Sequence, residues 1–373
     1  HRIVTVEKSI IGCCGCFEEQ YDGGALRQTA TTHYWIMQET CVTVTWMKFA
    51  LQALRLSGDA VYADCIEESF YNAYLGALNT KHVASVARIQ ADAKDPRKNG
   101  NLPTPEVLTF DSYSPLLAGE RGQMVGGYNI MPDNTFYGCC ACIGSAGIGM
   151  IPKAAILHRA DGVVLNLYFA GEMSAQTPKK QTLTVHTDTT YPYGDGRIAM
   201  TLSLKAPETF TLTLRVPAWS REATITVNGE RLPVEGTGYQ SIPREWRDGD
   251  SLILTLDLRT QTVLPPEGSC NEDDFCAYRR GPVMLGADAR LGKDPESAFA
   301  VAHDSENRVP GAVLTECPEI PDAKVAVALP TTDGKTVRLI DYSSCGKTWD
   351  KTSRCAVWLP NGRCDHVITV TRE

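Results

Sequence analysis

Glu39-Thr-Cys-Val-Thr-Val-Thr-Trp-Met-Lys-Phe-Ala-Leu-Gln-Ala-Leu-Arg-Leu-Ser-Gly-Asp59 carries the change of period from which the fold is read. Trp46, Phe49, Ala50, Ala53 and Leu54 recur at helical spacing and Gly58 supplies a stop, so residues 40 to 57 are predicted to form an amphipathic helix. Asp59 then caps a second helix, in which Tyr62, Cys65, Ile66, Phe70 and Ala73 keep the period to about Leu78. Joined at Gly58-Asp59, the two make an antiparallel helical hairpin. Glu39 and Cys41 stand at the mouth of the first helix, where the N-terminal partial positive charge favours carboxylate and thiolate alike. Taken alone they read more plainly, as a first-turn acid and an inward-packed thiol.

About a hundred residues later comes Tyr137-Gly-Cys-Cys-Ala-Cys142. Two adjacent thiols, a third two positions on, and the distant Glu-x-Cys offer three or four ligands that a fold could converge on one ion. Zinc suits a mixed thiolate and carboxylate set, and it brings no redox chemistry of its own. On spacing alone, plain core thiols remain the commoner reading. After the cluster, Ile143-Gly-Ser-Ala-Gly-Ile-Gly-Met-Ile-Pro152 predicts a helix of small residues ending at Pro152. Such a helix lets neighbouring backbone approach closely, as a crowded site floor requires.

Upstream, Ile10-Ile-Gly-Cys-Cys-Gly-Cys16 is too glycine-rich for a stable helix and predicts a loop. Cys13, Cys14 and Cys16 offer a rival metal site. Glu18 and Glu19 follow between aromatics and can supply a general acid, although two solvated charges explain them as simply. The 373 residues suffice for two or three domains, and a net charge of -8 with no basic run gives no reason to expect a nucleic acid or an anionic membrane partner. No apolar stretch reaches the length of a membrane span. Fourteen cysteines, six of them bunched, suit a reducing compartment better than a disulfide framework, and a cytoplasmic location is expected on that ground. The dispersed Cys65, Cys270, Cys276, Cys317, Cys345, Cys355 and Cys364 are expected to be structural. The chain opens on His1 and runs at once into Arg2-Ile3-Val4-Thr5-Val6, a start that resembles the middle of a longer chain.

Strand-like segments dominate from about Gly162: residues 163–169, 181–185, 197–204, 210–216, 223–227 and 251–256 are short, β-branched and separated by turns. Asn228-Gly229 is a hairpin turn signal. A β-sandwich over 160–263 is expected, followed over 264–373 by a second β-domain with strands such as 325–329 and 366–370. Between 83 and 134 the pattern is weaker, with a strand and turn expected over 109–117.

These residues resemble glycoside hydrolase family 127, the β-L-arabinofuranosidase group. The likeness rests on Glu39-Thr-Cys-Val-Thr-Val-Thr-Trp46, Arg55 to Asp64, Ile66 to Asn72, Cys139-Cys140, Gly144 to Pro152, Leu214-Arg-Val-Pro-Ala-Trp-Ser220, Val227-Asn-Gly229, Ile242-Pro-Arg-Glu-Trp246, Gly249-Asp250 and Tyr278-Arg-Arg-Gly-Pro-Val283. The resemblance implies an α+β multidomain fold, an (α/α)6 toroid followed by β-sandwich domains. Residues 1–159 would supply the C-terminal part of that toroid, whose first helices lie upstream in the family. It also implies a retaining glycosidase with a zinc-bound cysteine nucleophile. Glu39 and Cys41 look like two zinc ligands, Cys139 like nucleophile and ligand, and Cys140 like the fourth ligand, with Cys142 and Cys16 as competing thiols. Glu19 resembles the family's acid/base, with Glu18 the alternative. His33, Tyr34, Trp35 and Tyr128 are candidates to line the sugar pocket.

The implied substrate is an oligosaccharide or glycoconjugate bearing a terminal β-L-arabinofuranosyl or related group, and oligomerisation stays open. Retention needs a nucleophile and an acid/base on opposite faces of the anomeric carbon, a division that Cys139 and Glu19 would meet. Two other classes compete: a non-catalytic, zinc-stabilised carbohydrate-binding or scaffold protein, and a metal-buffering or redox protein built on the cysteine-rich loops.

Overall fold

The computed structural model describes residues 2–15, 21, 23–31, 38–80, 109–121, 128–130, 136–349 and 351–362, with the side chains of 128–130 and 136–138 left aside. The expectations for Cys16, Glu18, Glu19, His33, Tyr34, Trp35, Cys364 and the strand over 366–370 lie outside the described residues, as does the Tyr128 side chain.

A π-helical turn (Ile3–Glu7) comes first, followed by a short α1 (Gly24–Arg27). Strand β1 (Gln38–Glu39) runs directly into α2 (Thr40–Ser57), the span predicted from its period. Val44, Met47, Ala50, Leu51 and Leu54 form its buried stripe together with Trp46. Phe49 was expected on that stripe but is 52 % exposed, because it falls outside the 43/44, 47, 50/51, 54 progression that faces the core. Gly58 stops the helix with φ +67 and bonds its N–H to the Leu54 carbonyl at 2.8 Å. Asp59 accepts from the Val61 N–H at 3.0 Å and so caps α3 (Ala60–Ser69). The chain continues through a π-helical turn (Phe70–Tyr74) into α4 (Leu75–Ala77).

By contact density the described chain divides into two compact units. The first gathers residues 1–47, 68–148 and 259–373. It holds β1 paired with β2 (Tyr113–Ser114), and β3 (Tyr128–Ile130) paired with β4 (Phe136–Gly138), which leads into α5 (Cys139–Ile148). An eight-stranded sheet is built from the C-terminal segment. Helix α5 starts earlier than expected, with the cysteines in its first turn. Pro152 opens a separate helix, α6 (Ile151–Ala155), rather than ending α5, as suits a residue whose missing N–H costs nothing in a first turn.

The second unit joins residues 48–67 to 149–258. Its sheets have four strands, led by residues 208–216 paired with 238–246 over nine positions, and six strands centred on 197–203 and 251–256. Alternation along 251–256 buries Leu252, Leu254 and Leu256 and exposes Ser251 and Thr255, the signature of a half-buried strand. Asn228-Gly229 makes the predicted hairpin, both residues at positive φ (48 and 85). Among the described residues no helix is long and apolar enough to cross a membrane.

Candidate metal and catalytic centre

Two strand-to-helix transitions in the first unit build the site. At the first, Glu39 lies opposite Tyr113 in the β1–β2 pair. The Thr40 N–H then bonds the Ser112 carbonyl at 3.0 Å, and the Thr40 hydroxyl donates to the Asp111 carbonyl at 2.6 Å. Glu39 is thereby the last residue of a strand and Cys41 the second of a helix. At the other transition β4 ends at Gly138, and Cys139 and Cys140 open α5. Both thiol-bearing segments therefore sit in helix first turns, where unpaired N–H groups favour negative charge.

Helix α5 is seated by its small residues. A Cβ on Gly144 would lie 2.7 Å from the Phe110 ring, and one on Gly147 would lie 2.4 Å from the Tyr74 ring. The Tyr74 hydroxyl donates to the Gly144 carbonyl at 2.7 Å. Cys140, Gly144 and Gly147 are the buried residues of that helix, so the close approach of aromatic rings fixes the face on which Cys140 stands.

The donor atoms of Glu39, Cys41, Cys139 and Cys140 all lie within 4.8 Å of one another. The Cys41 and Cys140 sulfurs are 3.4 Å apart, those of Cys139 and Cys140 3.7 Å, and Cys140 Sγ lies 3.8 Å from Glu39 Oε1. Tetrahedral zinc with bonds of about 2.3 Å to sulfur requires sulfur–sulfur edges of roughly 3.8 Å, so three thiols and a carboxylate at these separations fit a four-coordinate ion. Hydrogen bonds from Cys140 and Cys41 hold the Cys139 thiol well below the usual cysteine range. The same contacts push Cys41 far up, and Cys140 rises chiefly through its bond to Cys139. Cys139 is half-buried, whereas Cys140 is 2 % exposed.

Cys142 is exposed and outside the cluster, and Cys13 and Cys14 are buried outside it. Cys13 instead donates to the Glu39 carbonyl at 3.4 Å. Two contributors had no signal in the sequence. Ser112 is buried and hydrogen-bonds the Cys140 thiol from the side chain. Arg121, fully buried, donates to Ser114 Oγ at 2.9 Å and to the Cys345 and Tyr342 carbonyls at 2.6 and 3.2 Å, holding β2 from behind. Both depend on pairings across long sequence separations, which local periodicity does not encode.

Residues 1–95 match the family described as the GH127 β-L-arabinofuranosidase catalytic domain, and residues 162–258 match its middle domain. The non-reducing end β-L-arabinofuranosidase of Bifidobacterium longum subsp. longum is 26 % identical over 261 residues, which cover 67 % of this chain and 35 % of that protein. A GH127 β-L-arabinofuranosidase structure from Geobacillus stearothermophilus T6 superposes with a TM-score of 0.70 at 18 % identity, over 96 % of this chain and 55 % of that one. A second GH127 β-arabinofuranosidase structure gives 0.69 at 19 %, covering 96 % and 54 %. At these identities the structural likeness is one of fold. The chain spans about a third of the length of the curated relative and about half that of the two solved structures.

Proposed function

The chain belongs to glycoside hydrolase family 127, and from that premise we propose that it acts as a retaining glycoside hydrolase releasing terminal β-L-arabinofuranosyl or related groups from an oligosaccharide or glycoconjugate. The observation that carries this reading is the convergence of Glu39, Cys41, Cys139 and Cys140, drawn from segments a hundred residues apart, on one point. Zinc held by these four would supply positive charge that keeps the thiols deprotonated near neutral pH.

By the family resemblance Cys139 is the sulfur for attack, and it is the more accessible of the adjacent pair. Its Sγ forms a bond to the anomeric carbon as the glycosidic bond breaks, and Glu19, by the family resemblance, gives its proton to the departing oxygen. Glu19 then takes a proton from water, which attacks the same carbon and releases the Cys139 thiolate. Two inversions give net retention. Glu18 is the alternative acid/base. The finer architecture belongs to the same proposal: the C-terminal part of an (α/α)6 toroid followed by two β-sandwich domains.

The test is zinc stoichiometry by elemental analysis for the wild type, Cys139→Ser and Glu39→Ala, alongside hydrolysis of a chromogenic β-L-arabinofuranoside. One zinc per chain, reduced in both variants, with hydrolysis lost in Cys139→Ser, is expected. Absence of zinc from the wild type would refute the site. One zinc without turnover would favour the second reading, a zinc-stabilised carbohydrate-binding or scaffold protein.

A further inference from the structure

The buried turn Ser9–Cys14 is built against the strand that presents Glu39. The Ser9 N–H bonds the Cys13 carbonyl at 2.7 Å and the Gly12 N–H bonds the Ser9 carbonyl at 3.0 Å, closing a tight loop. Gly12 has φ +84, and a Cβ there would lie 2.5 Å from the Ser69 backbone, so the turn is pressed onto the end of α3. The Ser69 hydroxyl donates to the Gly12 carbonyl at 2.7 Å, and the Ala73 N–H bonds the Ile11 carbonyl at 3.1 Å. Held in this way, the turn reaches β1 twice. The Ser9 hydroxyl bonds Gln38 Oε1, and Cys13, with no exposed surface, donates its S–H to the Glu39 carbonyl at 3.4 Å. Thr43, one turn into α2 and also buried, donates its hydroxyl to the same oxygen at 3.1 Å.

We propose that Cys13 and Thr43 are positioning residues for the metal centre: by fixing the Glu39 peptide from the side opposite β2, they set the direction from which the Glu39 carboxylate meets the three thiols. The β1–β2 pair fixes the register of Glu39, and Thr40 is tied to Asp111 and Ser112. The peptide joining residues 39 and 40 is thus held at both ends: its N–H bonds the Ser112 carbonyl, and its carbonyl, at the start of α2, is the atom these two side chains hold. Groups that orient metal ligands from outside the coordination shell typically govern affinity by about tenfold or more. The thiol that the sequence offered to a rival metal site thus serves the one formed by Glu39 and the three other cysteines. The inference rests on the metal reading proposed above.

Cobalt(II) replaces zinc at such centres as a spectroscopic probe, and its thiolate charge-transfer and ligand-field bands report the coordination geometry directly. Cys13→Val fills the volume without a donor, Cys13→Ser keeps a donor, and Thr43→Val removes the second hydroxyl at constant shape. In competition with a chelator, Cys13→Val and Thr43→Val are expected to bind cobalt and zinc about tenfold more weakly, with shifted ligand-field bands. Cys13→Ser should stay within about threefold of the wild type and keep its bands. Rescue by Ser but not by Val is the outcome that a packing role alone does not produce. Wild-type affinity and spectrum in both Val variants, or loss in Cys13→Ser equal to that in Cys13→Val, would overturn the assignment. Should Cys13→Val fail to fold, Thr43→Val carries the test alone. A wild type that binds no metal defeats the underlying site instead, so the two failures are told apart.

Discussion

Arg215 has no exposed surface, yet it carries a charge that two acids must match. Its guanidinium bonds Asp64, meets Glu67 Oε1 at 2.8 Å and donates from Nε to the Asn166 carbonyl at 2.5 Å. Glu67, 1 % exposed, also accepts from the Tyr191 hydroxyl at 2.7 Å and from Trp219 Nε1 at 3.2 Å. All these residues lie in the second unit, where they bind α3 to the strand over 208–216. Replacing a buried ion pair whole can be neutral, but removing one partner strands the other. Arg215→Met should therefore lower stability by about 3–5 kcal/mol, read by urea denaturation at pH 7.5. Burial already pushes the Asp64 carboxyl up to about 6, against the pull of Arg215. Without the guanidinium its folded pKa rises further above the unfolded value of about 3.9. A raised carboxyl favours the fold below its unfolded pKa and loses that contribution as pH rises through its folded pKa. The deficit of Arg215→Met should accordingly shrink as pH falls from 7.5 to 5. A loss below about 1 kcal/mol, or one independent of pH, would show that Arg215 is not what neutralises these acids.

Helix α5 shows at the level of an element how composition becomes geometry. Its glycines weaken it intrinsically by about 1 kcal/mol each relative to alanine, so a helix here must be held by what packs on it. Tyr74 does so, bonding Gly144 and stacking with Phe70 at 5.8 Å between ring centroids, while Phe110 lies 5.5 Å from Tyr74. Gly147→Ala gains helix propensity but drives a Cβ to 2.4 Å from the Tyr74 ring. The clash, typically 1–3 kcal/mol, should win by about 1–2 kcal/mol and shift Cys139 and Cys140 with the helix. The variant is expected to melt lower and bind zinc at least several-fold more weakly, while Ala146→Ser on the exposed side changes neither. Unchanged melting and affinity in Gly147→Ala would mean that the ring contact does not seat the helix. The sequence showed that small residues here permit close approach, but not which rings approach. The same limit explains why α2 was legible to the residue and Ser112 was not. A 3.6 period, a positive-φ glycine and an Asp cap are local, whereas the pairing of Ser112 with Thr40 and Cys140 depends on chain crossings that no window of sequence contains.

For the whole molecule, the order of elements along the chain is a poor guide to which of them cohere. The C-terminal strands were legible as strands, yet residues 259–373 gather with 1–47 and 68–148, while 48–67 gather with 149–258. Strand identity follows from β-branched alternation; membership follows from long-range burial, for which the sequence holds no period. The four donors of the candidate metal site all belong to the first unit, and the Arg215 network belongs wholly to the second. A ligand stabilises only the cooperative structure that binds it, by about 2.7 kcal/mol when free ligand is a hundred times its Kd. For units of this size each kcal/mol moves a melting temperature by roughly 2–4 °C. Scanning calorimetry of the chelator-treated chain is therefore expected to show two transitions. Zinc returned at that excess should raise one of them by roughly 5–10 °C and leave the other in place, and Arg215→Met should lower the one that zinc does not move. A single transition that answers to both changes would mean that the two units melt together, with the metal centre and the buried guanidinium stabilising one cooperative structure.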